Sequence, residues 1–129
     1  AGGIADAAAV DAVLRMGAAG AWVGTRFVAS HESLAHDIYK QRLIEAGTDD
    51  TYHGHFYSYG WKLGTPYRAI RSRERWNPYH LIAGGARRSD DEKYARSFSV
   101  YGGQGVDKIR EILSAREIVA RLLQRGSGA

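Results

Sequence analysis

Gly2-Gly3-Ile4-Ala5-Asp6 and, about twenty positions on, Gly24-Thr25-Arg26-Phe27 are the stretches that decide how this chain folds. Glycines let a turn adopt backbone shapes closed to other residues, and they leave amide N–H groups uncovered by a side chain. Asp6 is a good N-cap. From Ala7 to Met16 the apolar Val10, Val13 and Leu14 recur at helical spacing, and Gly17 is a natural stop. Ala18-Ala19-Gly20 then leads into Ala21-Trp22-Val23, a short apolar run of strand type. Turn, helix, strand, turn is the unit of an α/β protein with parallel strands. Both glycine turns are therefore expected at the same end of the structure. There, uncovered amides, a helix N-terminus and the Thr25 hydroxyl can hold an anion. Either turn alone is better explained as a tight connection; the ordered pair carries more weight.

Downstream the pattern becomes less regular. Ser30 is positioned to cap a helix running to about Ala46, with Leu34, Ile38, Tyr39 and Leu43 on its apolar side and Gly47 as its stop. Thr48 to Gly64 is rich in Gly, Tyr, His and Asp and reads as a long loop. Thr65 to Gly85 mixes aromatics and arginines without clean periodicity, and Arg87 to Lys93 reads as a charged surface link. After Tyr101-Gly102-Gly103, the residues Val106, Ile109, Ile112 and Leu113 form a helical stripe. Ser114 and Glu117 then stand at capping-box spacing before Ile118, Val119, Leu122 and Leu123, with Gly126 as the stop. Three segments follow: 1–47, 48–93 and 94–129.

The chain has 129 residues, 44% hydrophobic and 25% charged, an ordinary globular composition with room for one modest core. It opens on Ala1-Gly2-Gly3 without a methionine, and is read as the C-terminal part of a longer protein. The absence of cysteine excludes disulfides and thiolate metal sites. No apolar run approaches the ~20 residues of a membrane helix, and the default location is the cytoplasm. The formal charge is +4. Its excess is concentrated in Lys62, Arg68, Arg71, Arg73, Arg75, Arg87 and Arg88, a stretch that attracts anions in general.

The order GGIAD, Ala-rich helix, apolar strand, GTRF resembles the last two phosphate-binding loops of the nitronate monooxygenases, formerly called 2-nitropropane dioxygenases. The resemblance continues through Ala29-Ser30-His31-Glu32-Ser33 and the helix carrying Tyr39-Lys40. It returns at Tyr101-Gly102-Gly103-Gln104-Gly105-Val106 and Ser114-Ala115-Arg116-Glu117-Ile118-Val119. Thr51 to Lys93 matches loosely, through Tyr67-Arg68-Ala69-Ile70-Arg71 and Trp76. The resemblance implies an α/β fold, the C-terminal fragment of a flavin-binding TIM (β/α)8 barrel with part of an inserted small subdomain. Segment 1–47 would supply the last βα units, 48–93 the insert, and 94–129 the closing helices. A barrel segment without its neighbouring strands leaves Trp22 and Val23 unusually exposed.

The resemblance further implies oxidation of alkyl nitronates with FMN and molecular oxygen. Gly2, Gly3, Ile4, Gly24 and Thr25 would hold the FMN phosphate, and Gln104 would lie at the lip of the same face. No catalytic residue is assigned. The family's catalytic histidine lies upstream of the GGIAD turn, whereas His31, His36, His53, His55 and His80 all follow it. Ala7 stands where the family usually has Gly, a change compatible with phosphate binding if Ala7 lies in the first helical turn. The flavin-containing enoyl-acyl-carrier-protein reductases have similar twin loops and a similar ending, and are the nearer alternative; the inosine monophosphate dehydrogenases share the loops.

Four other features admit more than one reading. His53-Gly54-His55 lacks a third local metal ligand and reads as an exposed polar loop, so no metal site is assigned. Tyr52, Tyr57, Tyr59 and Tyr67 either line a substrate pocket or pack a small subdomain. Arg68 and Arg71 could draw in an anionic substrate, although a solvated basic face explains them as well. The interleaving of Trp61, Tyr67, Trp76 and Tyr79 with arginines suits a nucleic-acid-binding module. No recognised module accompanies it, and the expected partners are a small molecule and oxygen, not nucleic acid or membrane.

Overall fold

The computed structural model describes residues 1–55, 62, 64–71, 92–97 and 99–124. Helix α1 spans Ala7–Arg15. The Asp6 carboxylate caps it by accepting from the Ala9 amide at 2.8 Å. At its end the Ala18 amide donates to the Val13 carbonyl and the Gly17 amide to the Leu14 carbonyl, with Gly17 at φ +90°. This is the Schellman closure that glycine favours. The periodicity and both end signals of α1 are therefore realised, and Ala7 is its first residue.

Ala21 to Val23 departs from expectation. These residues are not a strand, and Trp22 is 79% exposed. A strand exists only when its backbone groups pair with a neighbour, and among the described residues none lies beside this segment. The expected exposure of Trp22 is present, while Val23 is half-buried. Trp22 and Val23 flank an open apolar groove that Leu14, Phe27, Val119 and Leu123 also line.

The helix expected from Ser30 begins later. A four-residue helix α2, Thr25–Val28, follows the second glycine turn, and α3 spans Asp37–Glu45. Its cap is His36, whose Nδ1 accepts from the Ile38 amide at 3.2 Å. Ser30 is taken by other partners. Its backbone forms an isolated parallel bridge to Leu113, and its hydroxyl accepts from the Ser33 amide. Ser30 therefore stays extended, and the chain enters α3 only after a further turn.

The middle segment is more regular than its composition suggests. A short 3₁₀ turn at Thr48–Asp50 leads into β1, Thr51–Gly54. This strand pairs antiparallel with β2, Tyr67–Ile70, in the register Thr51↔Ile70 and Gly54↔Tyr67. A short helix α4 at Glu92–Ser97 precedes β3, Val100–Tyr101, which pairs with Ala69 and Ile70 on the other edge of β2. The expected long loop thus holds a strand, and the 94–129 segment contributes to the same sheet. Among the described residues this sheet is antiparallel; the one parallel contact among them is the isolated Ser30↔Leu113 bridge, away from Ala21 to Val23.

Of the expected stripe, Val106, Ile109 and Leu113 are buried and Ile112 is half-buried. They are not on one helix, because Gln104–Lys108 is a 3₁₀ turn and Leu113 is in the bridge to Ser30. Helix α5 spans Ala115–Leu122. Ser114 and Glu117 cap it reciprocally, and the Glu32 carboxylate accepts from the Ala115 amide at 2.8 Å. Gly126 lies outside the described residues.

The core is built on α3. Tyr39, Leu43 and Ala46 pack with Ile70, Val100 and Val106, and Leu43 is fully buried. A second cluster joins Ala5, Ala29 and Ile109 beneath the glycine turns. The Tyr39 hydroxyl, itself buried, accepts from the Tyr101 amide at 2.6 Å and joins α3 to β3. Burial pushes the Tyr39 pKa up from 10.0 to about 12. The protonated hydroxyl is the form the fold favours, so its contribution is complete below pH 10 and is lost as pH rises toward 12. Burial raises the Tyr52 pKa to about 12 as well.

In the full-length protein, Tyr39→Phe should cost ~1–2 kcal/mol at neutral pH, because the Tyr101 amide loses its partner. It should also flatten the alkaline decline in stability, leaving the part due to Tyr52. Urea unfolding at neutral and alkaline pH checks both effects, and equal stability of parent and variant would remove this joint from the account. Ser114→Ala should cost ~1 kcal/mol through loss of the cap. Thermal melting reads that loss, and an unchanged midpoint would show the cap to be dispensable.

Candidate functional site

Gly2 and Gly3 turn the chain at φ +89° and +72°, conformations that favour glycine. The turn delivers Ile4 and Ala5 into the core, where they are 8% and 7% exposed. Gly24 precedes α2 with φ −109°, so its own backbone does not demand glycine. Open space adjoins all three turn glycines: a Cβ added at Gly2, Gly3 or Gly24 meets no heavy atom within 4 Å.

The two turns line one cavity of about 170 Å³. Gly2, Gly3, Ile4, Gly24 and Thr25 all border it, so the structure brings these expected site residues together. Gln104 is not among the lining residues. It is exposed, and its carbonyl accepts from the Thr48 hydroxyl at 2.9 Å. Its neighbours Gly103 and Gly105 line the cavity instead, together with Ala5 and Trp22. Sequence reasoning does not single these residues out for the site, although Gly102-Gly103-Gln104-Gly105 is visibly glycine-rich.

Among the described residues, none with a charged side chain lines the cavity. An anion here would be held by backbone amides and by Thr25. The Thr25 hydroxyl oxygen accepts from the Gly103 amide at 3.1 Å. A hydroxyl has one hydrogen to donate and two lone pairs. With one lone pair engaged, its hydrogen remains to be offered to an anion in the cavity. The first amides of α2 belong to the groups that a helix leaves without intrahelical partners. The N-terminus of α1 contributes less than its position suggests, because the Asp6 carboxylate already engages it.

The bareness of the three turn glycines, the amides beside them and the free Thr25 hydrogen fit a phosphate group. Arg26, the cation nearest in sequence, is committed elsewhere. It is 6% exposed, and its guanidinium donates to the carbonyls of Ala29 and Glu111 at 3.3 and 3.0 Å. Burial lowers its pKa, with Glu111 opposing; the guanidinium still remains charged. It anchors α2 to the segment before α5.

None of the described histidines lines the cavity. His31 is exposed and His36 caps α3. His53 and His55 are exposed and meet edge to face at 4.6 Å, with His53 on β1 and not in a loop. Among the described residues no group of three metal-ligating side chains forms. Arg68 donates to the Thr51 hydroxyl at 3.2 Å, and Arg71 lies over the Tyr52 ring. Tyr67 meets Tyr52 and Tyr101 edge to face at 6.1 and 5.9 Å, an arrangement that packs the sheet. Tyr57, Tyr59, Trp61, Arg73, Arg75, Trp76, Tyr79, His80, Arg87 and Arg88 lie outside the described residues.

Comparison with known proteins adds a lineage to this geometry. The nitronate monooxygenase family model matches residues 1–73. A probable nitronate monooxygenase of Bacillus subtilis (strain 168) is 28% identical over 132 residues, covering 96% of this chain and 38% of that protein. Among solved structures, FabK from Thermotoga maritima is 33% identical with a TM-score of 0.73, covering 96% of this chain and 42% of its own. A point mutant of the same FabK gives 32% identity and a TM-score of 0.72, covering 95% of this chain and 38% of its own. The chain thus spans about two fifths of the length of these relatives. The likeness places its α/β fold as part of a TIM barrel. With the family match extending over both glycine turns, the chain belongs to the nitronate monooxygenase family.

Proposed function

We propose that the protein carrying this chain is an FMN-dependent oxidoreductase that oxidises alkyl nitronates with molecular oxygen, and that this part of it holds the flavin phosphate. One observation carries the reading: the two glycine turns, Thr25 included, border a single cavity. Family membership supports the reaction class. When bound, FMN would supply the redox chemistry between substrate and oxygen. The residues here have a narrower task. Gly2, Gly3 and Gly24 leave room for the phosphate to approach the backbone, and Thr25 donates to it. Holding that end fixes the position of the ring at the other, so affinity and alignment are set together.

No described histidine is proposed as the proton-abstracting base, because the family's catalytic histidine precedes the GGIAD turn and all the histidines here follow it. Gln104 remains a candidate for the rim of the site, through its place between two lining glycines. The segments 1–47, 48–93 and 94–129 are proposed as barrel end, insert and closing region. A FabK-like enoyl-acyl-carrier-protein reductase is the second reading, favoured by the structural likeness to FabK. Both readings use the same phosphate site and differ in the substrate.

The test is a flavin titration of the full-length protein followed by turnover with an alkyl nitronate and with an enoyl thioester. Gly24→Val should block the approach of the phosphate. Gly3→Val should do the same and add backbone strain at φ +72°. Thr25→Ala should be milder, costing ~1 kcal/mol, or more if the phosphate is fully charged. Each variant should regain turnover once excess FMN saturates the site. If Gly24→Val binds FMN as tightly as the parent, the turns are not the cradle. Persistent inactivity of a flavin-saturated variant would give them a role beyond binding. Turnover of the enoyl thioester in place of the nitronate would select the second reading.

A further inference from the structure

The loop from Gly102 to Gly105 lies against the first glycine turn. A Cβ added to Gly105 would stand 2.3 Å from the Gly3 carbonyl oxygen, 3.0 Å from its carbon and 3.2 Å from the Ala5 Cβ. At Gly103 it would stand 3.3 Å from the Gly3 nitrogen. The contacts with Gly3 are to backbone, which cannot turn aside by changing a rotamer. Neither Gly103 nor Gly105 has a positive φ, so backbone conformation does not require glycine at either place. What requires it is the approach of Gly3.

The loop has little freedom to retreat. The Thr48 hydroxyl holds the Gln104 carbonyl, the Gly103 carbonyl accepts from the Val106 amide, and Val106 is fully buried. Gly102 is backed by Ile70 and Leu43, with 3.3 and 3.4 Å to an added Cβ. The Gly3 turn, in contrast, is open on its cavity side. A methyl group at position 105 would therefore push Gly3 into the cavity. The Gly103 amide meanwhile holds the Thr25 oxygen, so one loop sets the position of donors from both turns.

We propose that Gly105 is a positioning residue for the phosphate site: its bare Cα fixes the Gly3 turn where its amides can meet the anion. This rests on the reading of the two turns as the phosphate cradle. Gly105→Ala then acts on the phosphate end of the flavin and not on its ring. The discriminating pair of probes is FMN and riboflavin, which share the ring and differ in the phosphate.

Both flavins are titrated by fluorescence into the full-length parent, Gly105→Ala and Gly103→Ala. The preference for FMN over riboflavin should fall roughly 10- to 100-fold in Gly105→Ala, as expected when one or two hydrogen bonds to a charged group are lost. Gly103→Ala, with its looser contact, should lose less. A Gly105→Ala protein with the parent's FMN-to-riboflavin ratio overturns the proposal, whether both flavins bind normally or both are weakened equally. If Gly105→Ala binds no flavin, the same ratio measured in Gly103→Ala decides: a reduced preference for FMN supports the positioning role of this loop, and the parent's ratio overturns it. A parent that shows no preference for FMN overturns the cradle itself. A parent that prefers FMN and loses that preference in Gly24→Val, but not in Gly105→Ala, overturns only the positioning role.

Discussion

The hydrogen bond from the Gly103 amide to the Thr25 hydroxyl, together with the contact of Gly105 on Gly3, is the joint on which the site depends. It closes a ring of three short segments drawn from opposite ends of the chain. Each segment is fixed from behind: Ile4 and Ala5 by burial, Thr25 by the helix that Arg26 anchors, and the third loop by Thr48 and Val106. Preorganised donors need no rearrangement when an anion arrives, which is the condition for tight binding through weak individual contacts.

The site handles charge in an unusual way for a basic chain. The chain carries a net +4, and among the described residues no cation lines the cavity. Arg26 and Arg110 direct their donors to backbone carbonyls, and Arg121 pairs with Glu111. Backbone amides have a geometric advantage here. In the proposed site they would approach the anion closely while held by the fold, whereas a lysine or arginine would bring a flexible stem. Gly105 is selected by distance and not by conformation, because it has no positive φ and an added Cβ would stand 2.3 Å from the Gly3 carbonyl oxygen.

The sequence revealed the parts of the fold whose signals are local. Helix α1 could be read from Asp6, the Val10, Val13 and Leu14 spacing and Gly17, and α5 from Ser114 and Glu117. The two glycine turns were legible as a pair. The sheet was not, because Thr51-Tyr52-His53-Gly54 becomes a strand only through partners supplied by Tyr67–Ile70 and then Tyr101. Ser30 misled for the same reason. It is the better local cap, but the bridge to Leu113 holds it, and His36 takes its place. Gly105 illustrates the limit most clearly. Its glycine is plain in the sequence, yet the Gly3 carbonyl that explains it comes from the far end of the chain.

The central claim is that the two turns and the third loop together enclose the phosphate of FMN. The most direct measurement is a crystal structure of the full-length protein with FMN bound. The account predicts the phosphate in the cavity between Gly3 and Gly24, accepting from the Thr25 hydroxyl and adjacent amides while the Gly103 amide still donates to Thr25. A phosphate held outside this cavity, or held there mainly by arginine or lysine side chains, would contradict it.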